Sequence, residues 1–261
     1  MKSVAQPFPT FGGRPLETDG GFAARASERL RHKNRAITLW DYEHLILEAF
    51  PAVFQARCLN HTQYEPSSSG SGVYRELAAG HVTVVTIPDL AVPNPRDPLR
   101  PFTSLRVLGE IESFLTRRMS CFARLHVRNP QFEEVRVDLR VRFRSGVDEA
   151  FHTTRLKREM TQFLSPWAFR GDARPTFNGT VHKSVLVNFV EERSYVDFVS
   201  DVRLFRRLPG VTADGPDLEE VTGSRAISIL VSTPPNQHGV HPIHPDEVLV
   251  PEYCDCATAV G

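Results

Sequence analysis

Three histidines recur at every third position near the C-terminus: His238, His241 and His244. Two cysteines, Cys254 and Cys256, follow about ten residues later. Imidazole and thiolate together suit zinc, so a zinc-binding module is one reading of this stretch. Pro242 and Pro245 keep the histidines off a single helical face, and their spacing matches no common ligand pattern. Exposed or interface histidines are the plainer reading. The other cysteines are Cys58 and Cys121. Four cysteines are too few for a disulfide scaffold in 261 residues, and the C-x-C pair is not a C-x-x-C redox or zinc motif, so all four read as reduced thiols.

No other grouping has the spacing that chemistry requires. Phosphate-binding and dinucleotide-binding glycine motifs are absent from the sequence. Ser69-Gly70-Ser71-Gly72 imitates a nucleophile elbow, but it lies in a serine-rich linker and not at a strand-to-helix turn. Glu133-Glu134 and Glu191-Glu192 are adjacent acids. The first pair falls on a strand, where neighbours point to opposite faces, and both pairs read as solvated. Trp40 and Trp167 offer stacking surfaces, though a lone tryptophan at an element boundary is usually packing. The sequence therefore yields no catalytic, cofactor-binding or metal-ligand assignment, and the His/Cys tail stays open as a metal-dependent binding module or hydrolase.

Charge is more informative. The net charge is zero, but residues 1–208 hold 30 basic and 23 acidic side chains, whereas residues 209–261 hold one basic and eight acidic. A basic body and an acidic tail suit attraction between subunits; a merely solvated tail is the alternative. Two basic groups stand out as interface candidates. One is Arg25, Arg29, Arg31, Lys33 and Arg35, within and just after a helical stretch at 22–33. The other is Arg136, Arg140, Arg142 and Arg144, alternating with Val135, Val137, Leu139, Val141 and Phe143. Period two puts the apolar residues on one sheet face and the arginines, with Glu134 and Asp138, on the other. That charged face either carries cross-strand ion pairs or meets another subunit. The basic excess is too small for tracking phosphates, so nucleic acid is not an expected partner. The sequence has no apolar run long enough for a membrane anchor and no secretory leader pattern, so a cytoplasmic origin is expected.

The elements that would position these residues come from periodicity. Thr38 and Asp41 form a variant capping box that opens a helix ending before Pro51. Val53–Leu59 and His81–Ile87 read as strands on either side of a flexible EPSSSGSG loop. Leu105, Leu108, Ile111 and Leu115 mark a helix over 104–118. Strands follow at 122–127 and 134–144. Next come a helix with Leu156, Met160, Phe163 and Leu164, a second helix with Val181, Val185, Leu186, Phe189 and Val190, and strands at 195–205 and 225–232. Prolines from residue 234 onward keep the remainder extended.

The fold class expected is α+β: two small α/β sandwich domains with mixed or antiparallel sheets, and extended proline-rich arms at both ends. A ferredoxin-like arrangement is one possibility. The expected divisions are an arm and basic helix at 1–36, domains at 37–130 and 131–232, and an acidic Pro/His-rich tail at 233–261.

Three stretches together resemble one family. They are FGGRPLE (11–17) with residues 22–62, ARLHVRNPQFEEVRVDLRVRF (123–143), and FLSPWAF (163–169) with residues 177–205. This is similar to the C-terminal part of the baseplate J-like wedge proteins of contractile, phage-tail-like injection systems. The resemblance spans about residues 11–205, with Glu28–Thr62 its most specific part, and leaves residues 209–261 uncovered. It implies a structural role: assembly around the hub and spike, linkage to the sheath, no enzymatic activity and no cofactor. The partners implied are other wedge subunits, hub, spike and sheath proteins, in a particle that is assembled in the cytoplasm and can be released from the cell. Family members are generally much longer, so the resemblance also implies a fragment, a split subunit or a minimal version.

Overall fold

A computed structural model describes residues 17–66, 72–90, 97–208, 211 and 213–244. The chain divides into two units, residues 1–89 with 102–129, and residues 90–101 with 130–261.

In the first unit, α1 (Asp19–His32) and α2 (Leu39–Ala49) precede β1 (Val53–Asn60), β2 (Gln63–Glu65), β3 (Val73–Arg75), β4 (His81–Pro88), α3 (Leu105–Thr116) and β5 (Arg124–Arg128). The sheet order is β1-β4-β5; β1 is antiparallel and β5 parallel to the central β4. β2 and β3 form a separate antiparallel pair. The β-branched run of β4 is buried from Thr83 to Ile87, as a central strand covered on both faces requires. Leu45 and Ile46 of α2 and Leu108, Ile111 and Leu115 of α3 pack on Val53, Val84 and Val127. Thr83 and Thr86 are buried in the same strand, and their hydroxyls are satisfied by the Thr62 carbonyl and by Thr103.

The capping box read from Thr38 and Asp41 is present in both directions. The Asp41 N–H donates to Thr38 Oγ1 (3.2 Å), and the Thr38 N–H donates to Asp41 Oδ2 (2.7 Å). Partial burial pushes the Asp41 carboxyl up. Hydrogen bonds from Thr38 and the Ile37 N–H outweigh this and hold it below its ordinary value. Thr38→Ala is expected to cost about 1 kcal/mol, read as a lower urea midpoint at unchanged slope.

The second unit holds β6 (Gln131–Phe143), α4 (Glu149–Leu164), β7 (Thr180–His182), α5 (Lys183–Glu191), β8 (Val196–Arg207), β9 (Glu220–Thr222), β10 (Ser228–Ser232) and β11 (Gly239–Pro242). The 13-residue β6 is the axis of a mixed sheet. Antiparallel β8 lies along one edge. Parallel β10 and β11 lie end to end along the other, against residues 131–135 and 138–141 respectively. Val135, Val137, Leu139 and Val141 point into a core with Leu156, Met160 and Leu164 of α4 and Leu186 and Val190 of α5. The helices thus cover the apolar face that the alternation marks.

Both units are α+β with mixed sheets, as the sequence indicated. Two local expectations change. Val181 belongs to β7, which pairs with β9, and α5 begins only at Lys183. The segment after Thr233 is extended, but residues 239–242 are a strand of the sheet, and Val240 and Ile243 are buried.

Candidate assembly surfaces

The zinc reading meets a structural obstacle at His238. This histidine sits in the gap between β10 and β11, where the hydrogen-bond ladder along β6 would otherwise lapse. Val137 donates its N–H to His238 Nδ1 (3.2 Å), so the proton of the neutral ring resides on Nε2, 2.9 Å from Ser232 Oγ. The side chain is buried, and burial, reinforced by the positive charges of Arg136, Lys157 and Arg207, pushes its pKa down to about 4. Both ring nitrogens serve the fold. His241 faces Asp138 (3.1 Å) on the exposed side, and His244 is exposed. Among the described residues no three His, Cys, Asp or Glu side chains group as metal ligands; Cys254 and Cys256 lie outside the described residues, as do Ser69, Gly70 and Ser71. Of the other thiols, Cys58 is buried and Cys121 exposed. Burial, with Glu43 nearby, pushes the Cys58 thiol upward, away from reactivity.

The acid pairs differ from each other. Glu191 and Glu192 are exposed, as read. Glu133, read as solvated, is fully buried. It accepts hydrogen bonds from the Ser224 N–H (3.1 Å to each carboxylate oxygen) and from the Ser224 and Ser228 hydroxyls. The signal was in the strand itself: Glu133 has the same parity as Val135 and Val137, and parity assigns it to the core face. Its neighbour Glu134, on the other face, pairs with Arg100.

The arginines of β6, and Arg144 just after it, are held within their own unit. Arg136 bonds Asp138, Asp214 and the Gln237 carbonyl, and lies over Phe205. Arg140 faces Asp201 at 3.9 Å, Arg142 lies 5.8 Å from the Phe198 ring centroid, and Arg144 donates to the Val196 carbonyl. The acidic stretch is partly used in the same way. Asp214 pairs with Arg136 and Arg207, Asp217 and Glu219 pair with Lys183, and Glu220 faces His182.

The basic residues near α1 divide into two sets. Arg25 pairs with Glu17 (2.9 Å), Arg29 approaches Glu48 (3.6 Å), and Arg31 stacks on Trp40 (4.1 Å), whose other neighbour is the stacked His44 ring (3.8 Å). Trp40 is thus a junction between α1 and α2. Trp167 is buried, and its Nε1–H donates to the Leu99 carbonyl (3.3 Å). Lys33 and Arg35 are exposed beyond the helix end. Lys33 and Asn34 are both left-handed, with φ of 49° and 58°, and the Ala36 N–H donates to the Arg118 carbonyl (2.9 Å). This turn sets Arg35, Ile37 and Leu39 beside a groove of about 390 Å³ whose other walls include Tyr42, Val82, Arg118 and Met119. Ile37 and Leu39 are 74% and 41% exposed there. Lone-residue periodicity cannot announce such a groove, because its walls come from four separated segments.

The chain belongs to the PVC11-like family of baseplate proteins, whose model matches residues 1–222. Its fold is similar to a chain in the cryo-EM structure of the anti-feeding prophage (AFP) baseplate, 6-fold symmetrised, with TM-score 0.56 and 22% identity. That likeness covers 87% of this chain and 44% of the other, so this chain spans less than half the length of the protein it resembles. No curated protein matches it. Among the described residues no helix is long and apolar enough to cross a membrane.

Proposed function

We propose that the chain is a structural, non-catalytic component of the baseplate of a contractile, phage-tail-like injection system. Its proposed place is the wedge, around the hub and in the path to the sheath. The family match over residues 1–222 carries this reading. The fold likeness to a chain of the AFP baseplate supports it, as does the resemblance of residues 22–62 and 123–143 to J-like wedge proteins. The proposed divisions of labour are a docking element in the basic residues of α1 and its following turn, and a second contact along the β6 arginine face.

The test is native co-fractionation. The tagged chain, expressed with its own particle genes, is expected in the heavy particle fraction, beside hub and sheath proteins. Recovery only as a free chain would reject the baseplate role. Arg29→Glu with Lys33→Glu probes the docking element. Both side chains are exposed, and the lost Arg29–Glu48 contact is a surface pair of small worth. The double variant is expected to fold normally by circular dichroism and to lose tenfold or more in particle incorporation. Normal incorporation would remove α1 from the interface.

A further inference from the structure

We infer that the groove of the first unit receives the stretch Asp246–Tyr253 of a second copy of this chain. The groove is walled by Ile37, Leu39, Tyr42, Val82 and Met119 together with Arg35 and Arg118, the latter also bonded to Asn34 Oδ1 and the Phe114 carbonyl, and no carboxylate lines it. Exposed apolar surface of this kind on one unit marks a contact site. Phe122, between the groove residues Ser120 and Ala123 in the chain, is 90% exposed.

The occupant is argued from complementarity. Seventeen residues, 245–261, follow the last described residue, His244. They begin Pro-Asp-Glu-Val-Leu-Val-Pro-Glu-Tyr and contain no Lys or Arg. Val248, Leu249 and Val250 are flanked by Asp246 and Glu247 on one side and Glu252 on the other. The groove offers the complementary chemistry: apolar walls with two arginines and no acidic residue. Of the eight acids in residues 209–261, the four within the described part already face partners in their own unit, namely Asp214, Asp217, Glu219 and Glu220. The other four, Asp246, Glu247, Glu252 and Asp255, supply the acidity this groove would meet. The groove lies within the residues that the family model matches, 1–222, and Asp246–Tyr253 lies beyond them. A groove and a tail on each copy make a head-to-tail contact, which propagates as a ring or a chain of copies. The contact is a property of this chain alone and does not rest on the baseplate assignment.

The test uses full-length chain in sedimentation velocity over a concentration series. Wild type is expected to grow from the 29.4 kDa monomer into larger species as concentration rises. Ile37→Asp, at an exposed groove position, and Leu249→Asp, in the tail, are each expected to weaken association tenfold or more at unchanged circular dichroism. An equimolar mixture of the two variants holds one intact groove and one intact tail per pair. It is expected to form one-to-one dimers and nothing larger. A wild type that stays monomeric throughout would overturn the inference, assigning the groove to the chain's own tail or to another protein. So would association indifferent to both substitutions, or variants that fail to complement. Particle co-fractionation reads the baseplate role separately, so the two ideas fail independently.

Discussion

Replacing His238 with alanine is expected to lower the unfolding free energy by about 4 kcal/mol and to remove a pH dependence from the second unit. Two costs add. The Val137 N–H, in a fully buried residue, loses its acceptor, a penalty of about 1–3 kcal/mol for an orphaned buried donor. A buried ring is also deleted from the seam between β10 and β11, leaving a cavity beside α4. His238→Asn places an acceptor near the Nδ1 position and is expected to recover part of the loss. The pH effect has a definite sign. The folded pKa is depressed to about 4 from an ordinary value of 6.5. Between those values the unfolded chain binds a proton that the folded chain does not. Stability is therefore full above about pH 6.5 and falls as pH drops toward 4, by about 3 kcal/mol across the window. Urea midpoints of wild type and His238→Asn should diverge at neutral pH and converge near pH 4. Parallel pH profiles for the two proteins would show that His238 is not held neutral.

The fold was legible where periodicity and capping agree. The strand at 134–144, the Thr38 helix start and the helix from Ser104 each rest on residues within one element, and each is found within a few positions. The missed strands β7 and β9 have three residues each, too short for a period to emerge, and β11 is hidden by Pro242 and the prolines on either side of it. Their existence depends on partners distant in sequence: β11 is a strand because Asp138–Val141 offers an edge. Gly239 shows how local that fit is, since a Cβ there would collide with the Asp138 carboxylate. Site reading followed the same division. Residue types named His238 as noteworthy, and only tertiary contacts turned it from a metal candidate into a hydrogen-bonding plug. The basic residues of α1 and β6 were visible as charge, but their assignment to Glu17, Glu48, Trp40 and Asp214 required the folded geometry.

Glu133→Ala is the second large effect, expected at about 3–5 kcal/mol. The carboxylate anchors the turn that carries the chain from β9 into β10. Three donors converge on it: the Ser224 N–H, the Ser224 hydroxyl and the Ser228 hydroxyl. Hydrogen bonds to a charged acceptor contribute about 1.5–3 kcal/mol each, and removing the acceptor strands the Ser228 hydroxyl in a buried site. Solvent cannot replace it at the Ser228 hydroxyl, because Glu133, Ser228 and the adjoining Ile227 and Ile229 are all fully buried, whereas the exposed Ser224 can turn to water. Glu133→Gln keeps one acceptor but turns an amide NH2 toward a site already filled with donors, so it is expected to recover only part of the loss. Ser228→Ala alone should cost less, and its effect should shrink in the Glu133→Ala background, because the hydroxyl has then lost its partner. A double-mutant cycle in urea reads this coupling directly, with an expected interaction of about 1–2 kcal/mol. Additive effects would mean that the carboxylate is held by water and not by the serines. A full coupling would identify the β10 edge of the sheet as secured by a buried polar clasp, at the same strand that His238 secures from its other end.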